Sequence, residues 1–326
     1  MLKRWNWLII AMIGVAAFAA GCSDDDTTTA PPVPTDTAFE VMAAAGAAYI
    51  NDNTICPGII DAQVLHDNLA EYTVIDVRGL ADYNNGHIEG AYHSTLGTLI
   101  ADLASIPSGK PYVIACYTGQ SAGHAKIAME LLGYDDVFSL KFGMAAWNTS
   151  LAPAWTNSCG DNCATIEVTD NNPSLTTHSF PTLSGDAGTI VATRVASMLQ
   201  SGFKAKSYAD IQANLGDYFI LNYFGAPDYL GTGTAGVPGH IPGAFQYTPY
   251  QSLGISQMLK YLPTDKQIIV YCWTGQHSSQ VTAYLNMLGY DAYSLRFGAN
   301  NLFYTDLTAN KWGVAAQHDF PIVATP

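Results

Sequence analysis

The sequence predicts an α/β protein in which one domain, a parallel sheet flanked by helices, occurs twice in tandem. Two observations carry this. The stretch Tyr112-Val113-Ile114-Ala115-Cys116-Tyr117-Thr118-Gly119-Gln120-Ser121 aligns without a gap with Ile268-Ile269-Val270-Tyr271-Cys272-Trp273-Thr274-Gly275-Gln276-His277, at an offset of 156. Leu132-Gly133-Tyr134-Asp135 returns at the same offset as Leu288-Gly289-Tyr290-Asp291, which marks a duplicated unit. Within each copy, short apolar runs alternate with segments of helical spacing, the order expected of a parallel sheet covered on both faces.

The N-terminus sets the compartment. Lys3 and Arg4 precede an apolar run from Trp5 to Ala20, and small residues lead to Cys22. A basic start, an apolar core and small residues before a cut describe a secretory signal over residues 1–21. The apolar run is marginal for the roughly 20 residues of a spanning helix. Its ending, Ala19-Ala20-Gly21-Cys22, resembles a bacterial lipobox, which implies that Cys22 is diacylated and begins the mature chain. Ser23 in place of an Asp implies sorting to an outer membrane, with the protein on its periplasmic or surface side. Residues 22–37 are rich in Asp, Thr and Pro and have almost nothing to bury, so a disordered tether is expected.

The first domain is expected over residues 38–155. It opens with a helical stretch from Phe39 to Ile50, and a second helical segment ends near Leu69. Tyr72 to Asp76, Tyr112 to Ala115 and Val137 to Leu140 read as buried strands, and Ala122 to Leu132 reads as a helix stopped by Gly133. Residues 156–181, rich in Pro, Asn and Thr, read as a linker, and the second domain follows over 182–326, with a helical stretch from Thr189 to Gln200 and a segment ending near Leu215.

The full chain carries 13 Lys+Arg against 27 Asp+Glu, a formal charge of −14; removing residues 1–21 takes away Lys3 and Arg4, leaving 11 against 27, or −16. Such a surface repels phosphate backbones and anionic lipid headgroups, which disfavours nucleic-acid binding and polybasic docking, so the only expected membrane contact is the lipid anchor. Of the six cysteines, Cys22 is assigned to lipid. Disulfides persist outside the cytoplasm, so Cys159 and Cys163, on either side of Gly160-Asp161-Asn162, are expected to pair. A metal would need further ligands at suitable spacing, and none is nearby; Cys56, before Pro57, has no assignment.

Cys116 and Cys272 each stand just after an apolar strand and a few residues before a helix. There the loop amides and the helix start converge on one point, where a thiolate or a bound anion is stabilised. Gly119 and Gly275, third after each cysteine, let the loop curl around the sulfur.

These residues resemble the rhodanese (thiosulfate sulfurtransferase) superfamily, marked by an Asp-Val-Arg strand end, a Gly-His-Ile-x-Gly-Ala segment and a Cys-x-x-Gly-x-x loop. Copy one shows Asp76-Val77-Arg78, Gly86-His87-Ile88-Glu89-Gly90-Ala91 and the loop Cys116 to Ser121; copy two keeps Gly239-His240-Ile241-Pro242-Gly243-Ala244 and Cys272 to His277. Copy two departs at Asn222-Tyr223-Phe224, where Asp-Val-Arg would stand, and it inserts a Gly/Thr segment around Gly231 to Gly236. The resemblance implies that Cys116 and Cys272 are sulfur-carrying nucleophiles. Tyr117, Thr118, Gly119, Gln120 and Ser121 would form one substrate-binding loop, and Trp273, Thr274, Gly275, Gln276 and His277 the other. Asp76, Arg78, His87 and His240 would brace the sheet and loop.

The implied function is transfer of a sulfane sulfur from thiosulfate or a persulfide to a thiol or cyanide through a cysteine persulfide, with no cofactor. Persulfide donors are favoured by a loop without cations on an acidic chain. Rhodanese-like phosphatases use a longer loop ending in Arg, and residues 117–123 and 273–279 contain neither Arg nor Lys. Alternatives are a non-catalytic binding module with a protein partner, or handling of sulfur-like oxyanions at the cell surface. Cys116 is expected to turn over faster than Cys272, with His277 adding a cation to the second loop as the pH falls.

In a bacterial host, palmitate should label the full-length chain and not the Cys22→Ala variant; persistent labelling of that variant would contradict the lipobox.

Overall fold

A computed structural model describes residues 37–325. The expected signal segment, the lipidated Cys22 and the tether up to residue 36 lie outside the described residues. Among the described residues, no helix is long and apolar enough to cross a membrane.

The chain forms two five-stranded sheets, each wholly parallel. The first holds β1 (Ile59–Ile60), β2 (Thr73–Asp76), β3 (Tyr92–His93), β4 (Tyr112–Ala115) and β5 (Val137–Leu140), in the order β1-β5-β4-β2-β3. The second holds β6 (Ala205–Lys206), β7 (Tyr218–Asn222), β8 (Phe245–Gln246), β9 (Gln267–Tyr271) and β10 (Ala292–Leu295), in the equivalent order β6-β10-β9-β7-β8. In β2 and β4 all four residues are buried, which is why these strands read as continuous apolar runs rather than alternating ones.

Four long helices complete the frame: α1 (Ala38–Ile50), α2 (Gln120–Leu131), α3 (Ile190–Ser201) and α4 (Gln276–Met287). Thr37, counted with the tether from sequence, is already the cap of α1: its hydroxyl accepts the Glu40 N–H at 3.2 Å while the Glu40 carboxylate accepts the Thr37 N–H at 2.7 Å. The helix after the first cysteine loop starts at Gln120, two residues before the expected Ala122, because Gly119 turns the chain at φ 78° and helical geometry begins at once.

One continuous core runs through the centre. It begins with Ile75, Tyr112 and Ile114 on the inner face of the first sheet, passes through all four long helices, and ends on Phe219, Leu221, Ile268 and Val270 of the second. The intervening residues face outward, as the period of two in a strand requires. Val74, Val113 and Leu140 pack under Trp147, Trp155 and Trp312, and Ile220, Ile269 and Leu295 pack under Phe224 and Phe303. The two copies therefore share their main core.

Where α2 meets α4 there is no room for a side chain at Gly123. A Cβ on Gly123 would stand 2.1 Å from Ser279 Oγ and 3.1 Å from the Gln276 carbonyl. Gly123 and Ser279 occupy the same repeat position, so an approximate two-fold axis passes through the crossing. Gln120 and Gln276 act reciprocally across it: Gln276 Oε1 accepts the Phe142 N–H at 3.1 Å, and Gln120 Oε1 accepts the Phe297 N–H at 3.0 Å.

The same symmetry governs the segments after each copy. Residues 156–181, the expected linker, lie against copy two: Glu167 pairs antiparallel with His240, and Asn172 exchanges hydrogen bonds with Gln246. The C-terminal segment returns over copy one, where Val323 pairs with His87 and Trp147 donates to the Pro321 carbonyl at 2.8 Å.

The expected Cys159–Cys163 disulfide is not formed; both are free thiols. Amides of Gly160, Asn162 and Cys163 bond successive carbonyls of Asn300, Asn301 and Leu302, which holds this stretch along the second copy. Cys159 thereby packs against the outer core of copy one, and Cys163 enters the outer core of copy two, where the Tyr208 hydroxyl meets its sulfur at 3.4 Å.

A fragment of residues 38–158 should fail to unfold cooperatively and should bind hydrophobic dyes, because α1 and α2 would lose their partners in copy two. A sharp two-state urea transition of that fragment alone would contradict the shared core.

Candidate active site

Cys116 begins the loop after β4, with a side chain only 3 % exposed. The loop curls so that the Gly119 N–H points back at the Cys116 sulfur at 3.1 Å. The following turn pins the loop in place, since Met144 and Ala145 donate to the Cys116 and Tyr117 carbonyls at 2.8 and 3.1 Å. Trp155 Nε1 holds the Thr118 carbonyl at 3.2 Å. An amide donor aimed at a sulfur in a rigid loop is suited to holding negative charge on that sulfur.

Cys116 lies in the wall of a cavity of about 260 Å³. Copy one contributes Arg78, Tyr117, Thr118, Gln120 and Ser121, and copy two contributes Phe203, Arg296 and Phe297. Arg78 is committed. Its guanidinium binds both oxygens of Asp76, the closest at 2.6 Å, donates to the Gly86 carbonyl at 2.7 Å, and lies 5.1 Å from the Tyr117 ring centre.

Around Cys272 the same scaffold carries different side chains. Asn222 keeps the turn, accepting the Phe224 N–H at 3.1 Å as Asp76 accepts that of Arg78 at 3.0 Å. The ring of Phe224 replaces the guanidinium and packs 4.5 Å from Trp273, where Arg78 stood over Tyr117. The Cys272 sulfur is turned to the helix: it accepts the Ser278 N–H at 3.3 Å and lies 3.6 Å from Ser278 Oγ, which in turn bonds Ser294 at 2.9 Å.

A family model described as the rhodanese-like domain matches residues 61–150 and 226–302, together just over half of the chain and with one of these cysteines in each match. The chain belongs to the rhodanese family. Among curated relatives, the thiosulfate sulfurtransferase GlpE of Shewanella oneidensis is 34 % identical over 79 residues, which is 24 % of this chain and 78 % of that protein. GlpE of Pseudomonas fluorescens is 33 % identical over 89 residues, 27 % of this chain and 80 % of that one. Among solved structures, a rhodanese-like domain protein from Staphylococcus aureus aligns with 26 % identity and a TM-score of 0.26, covering 28 % of this chain and 91 % of its own. At the family level the family model and the curated relatives support sulfurtransferase chemistry.

Several residues expected at the rhodanese loops stand elsewhere. Gln276 is spent on copy one, with Oε1 on the Phe142 amide and Nε2 on the Leu140 carbonyl at 3.3 Å, so it belongs to the interface rather than to a binding loop. Gln120 does both, lining the cavity and holding Phe297. His277 turns away from the loop mouth, with Nε2 3.3 Å from the Cys56 sulfur and its ring 4.9 Å from Tyr223 and 5.3 Å from Tyr250. Enclosure pushes its pKa down to about 3, so it adds no cation near neutral pH. Cys56 itself is buried, with its thiol pushed up to about 12.

Thr118 accepts from Gln120 Nε2 at 3.1 Å, and Thr274 meets the Gln276 amide at 3.4 Å. His87 and His240 stack at 3.7 Å on Tyr83 and Tyr229 and bond those residues' carbonyls through Nδ1 at 2.8 Å. Gly275, at φ 79°, copies the turn of Gly119. Among the described residues no group of three or more His, Cys, Asp or Glu is placed to hold a metal. Sequence reasoning did not reveal Phe203, Arg296 and Phe297, because a repeat shows which positions are equivalent and not which ones meet across the interface. The loop itself has no cation; its cavity has two.

His124 on α2 is fully buried, with no hydrogen-bond partner for either ring nitrogen among the described residues, and burial pushes its pKa to about 3. The folded chain keeps His124 and His277 neutral, whereas an unfolded chain protonates them near 6.5, so the unfolded state binds more protons between about pH 6.5 and 3. Stability is then lost as the pH falls through that window, by up to about 1.4 kcal/mol per pH unit for each histidine. The urea midpoint should drop from pH 7 to pH 5, and drop less in a His124→Gln/His277→Ser double variant, which borrows the residue of the other copy at each position. Equal slopes in the two proteins would refute this.

Proposed function

We propose that this rhodanese is a sulfurtransferase whose working nucleophile is Cys116, and that the second copy serves chiefly to build and hold the first copy's site. The observation that carries this reading is that Cys116 lines a cavity while its sulfur accepts a loop amide. The Cys116 thiolate attacks the outer sulfur of a sulfane donor; with thiosulfate, a bond forms between the two sulfurs, the donor's own S–S bond breaks, and sulfite departs with the bonding pair. The persulfide anion rests against the loop amides. A thiol or cyanide then takes the terminal sulfur, and the Cys116 thiolate is regenerated.

The ranking of the two cysteines rests on substitutions at equivalent positions. Val77, Arg78, Tyr117 and Ser121 line the first cavity, and copy two has Tyr223, Phe224, Trp273 and His277 in their places. At Val77, Tyr117 and Ser121 the replacement adds ring atoms, and at Arg78 it removes the charge. The buried rings of Tyr223 and Phe224 and the hydrogen bonds of Cys272 to Ser278 support a closed second site. We further propose that the protein works outside the cytoplasm, anchored through Cys22.

Cyanolysis by the soluble fragment from residue 38, with thiosulfate and with a small persulfide as donors, tests the assignment. Cys116→Ser should reduce turnover to the level of the uncatalysed reaction, and Cys272→Ser should retain most of it. Intact mass after donor treatment should show one added sulfur, lost in Cys116→Ser. Loss of activity on Cys272→Ser with Cys116→Ser unaffected would reverse the ranking, and no activity with any donor would favour a binding module.

A further inference from the structure

The Cys116 cavity is completed by the other copy. Phe203, just before β6, and Arg296 and Phe297, just after β10, close the side facing the cysteine loop. The two arginines that line this cavity are not equivalent. Arg78 is 4 % exposed and its charge is matched by Asp76, so it braces the loop and adds little net charge to the cavity. Arg296 is exposed and makes no ion pair among the described residues. The carboxylate that feels its charge, Asp210, is already bonded to the Ser207 amide and hydroxyl, each at 2.8 Å. The residue equivalent to Arg296 in copy one is Lys141, which is held by Asp61 at 3.0 Å. Only one of these two positions thus offers an uncommitted cation to a cysteine loop.

We propose that Arg296, supplied by copy two, is the specificity-determining residue of the Cys116 site, and that it binds the oxyanion end of a small sulfane donor while the outer sulfur faces Cys116. This rests on the sulfurtransferase reading. A guanidinium presents five N–H donors in a planar fork that suits the oxygens of a sulfonate-type group, and Phe203 and Phe297 line the cavity beside it. On a chain with formal charge −14, a local cation at the mouth offsets the repulsion that a dianion otherwise meets. The duplication then has a function: copy two provides for copy one the charge that the loop itself lacks.

The test has two arms. In turnover, Arg296→Gln should raise KM for thiosulfate by about tenfold to a hundredfold with little change in kcat, the loss expected when one charged hydrogen-bonding partner is removed. It should raise KM for methanethiosulfonate, a donor with one charge fewer, by a smaller factor, and Arg296→Lys should recover part of the loss. In binding, calorimetry of thiosulfate against Cys116→Ala protein reads the anion site without chemistry. There Arg296→Gln should weaken binding by a similar factor, and Lys141→Gln should not. If wild-type protein transfers no sulfur but thiosulfate still binds in an Arg296-dependent way, the sulfurtransferase reading falls and the anion site stands. Unchanged binding and unchanged KM in Arg296→Gln, or equal effects on both donors, would overturn the proposal.

Discussion

The contact between α2 and α4 at Gly123 and Ser279 is the constraint on which the rest of the molecule depends. Each of these helices starts at a cysteine loop, so bringing them together with no side chain at Gly123 sets the distance between the two loops. It also buries both helices almost all round. Polar residues enclosed in that way must find partners within the protein, since leaving them unpaired costs about 1–3 kcal/mol each. Gln120 and Gln276 solve this reciprocally by reaching into the other copy, and His124 is the exception.

A duplicated chain with a shared core can diverge in one half while the other half keeps working. The backbone turns of copy two follow those of copy one closely: Gly275 repeats Gly119, Asn222 repeats the amide contact of Asp76, and His240 repeats the stacking of His87. What changed is the set of side chains around the sulfur. Phe224 conserves the packing of Arg78 on an aromatic neighbour while removing its charge, and the Asp76–Arg78 pair, whose breaking costs about 3–5 kcal/mol when buried, is lost from both ends at once. Removing both partners together leaves no orphaned charge in copy two.

The crossed end segments add to the interlocking. Each segment that follows one copy hydrogen-bonds the other at the same histidine position, Glu167 at His240 and Val323 at His87. The segment after copy one is therefore occupied along its length, and its cysteines are drawn into separate cores instead of toward each other.

Much was legible in the chain itself. The 156-residue offset determined the duplication, and the apolar runs determined β4 and β5 to the residue, because strands buried on both faces have an unmistakable composition. The position of Cys116 and Cys272 between strand and helix followed from the same pattern. Tertiary structure alone decided that Cys159 and Cys163 stay apart, that His277 faces Cys56, and that Arg296 and Phe203 complete the cavity of Cys116. Periodicity and turn chemistry act over a few residues, and a repeat reports equivalence between distant positions. Which surfaces meet is set by how the two helices pack across the approximate two-fold axis, and that packing joins residues whose separation in sequence carries no local signal.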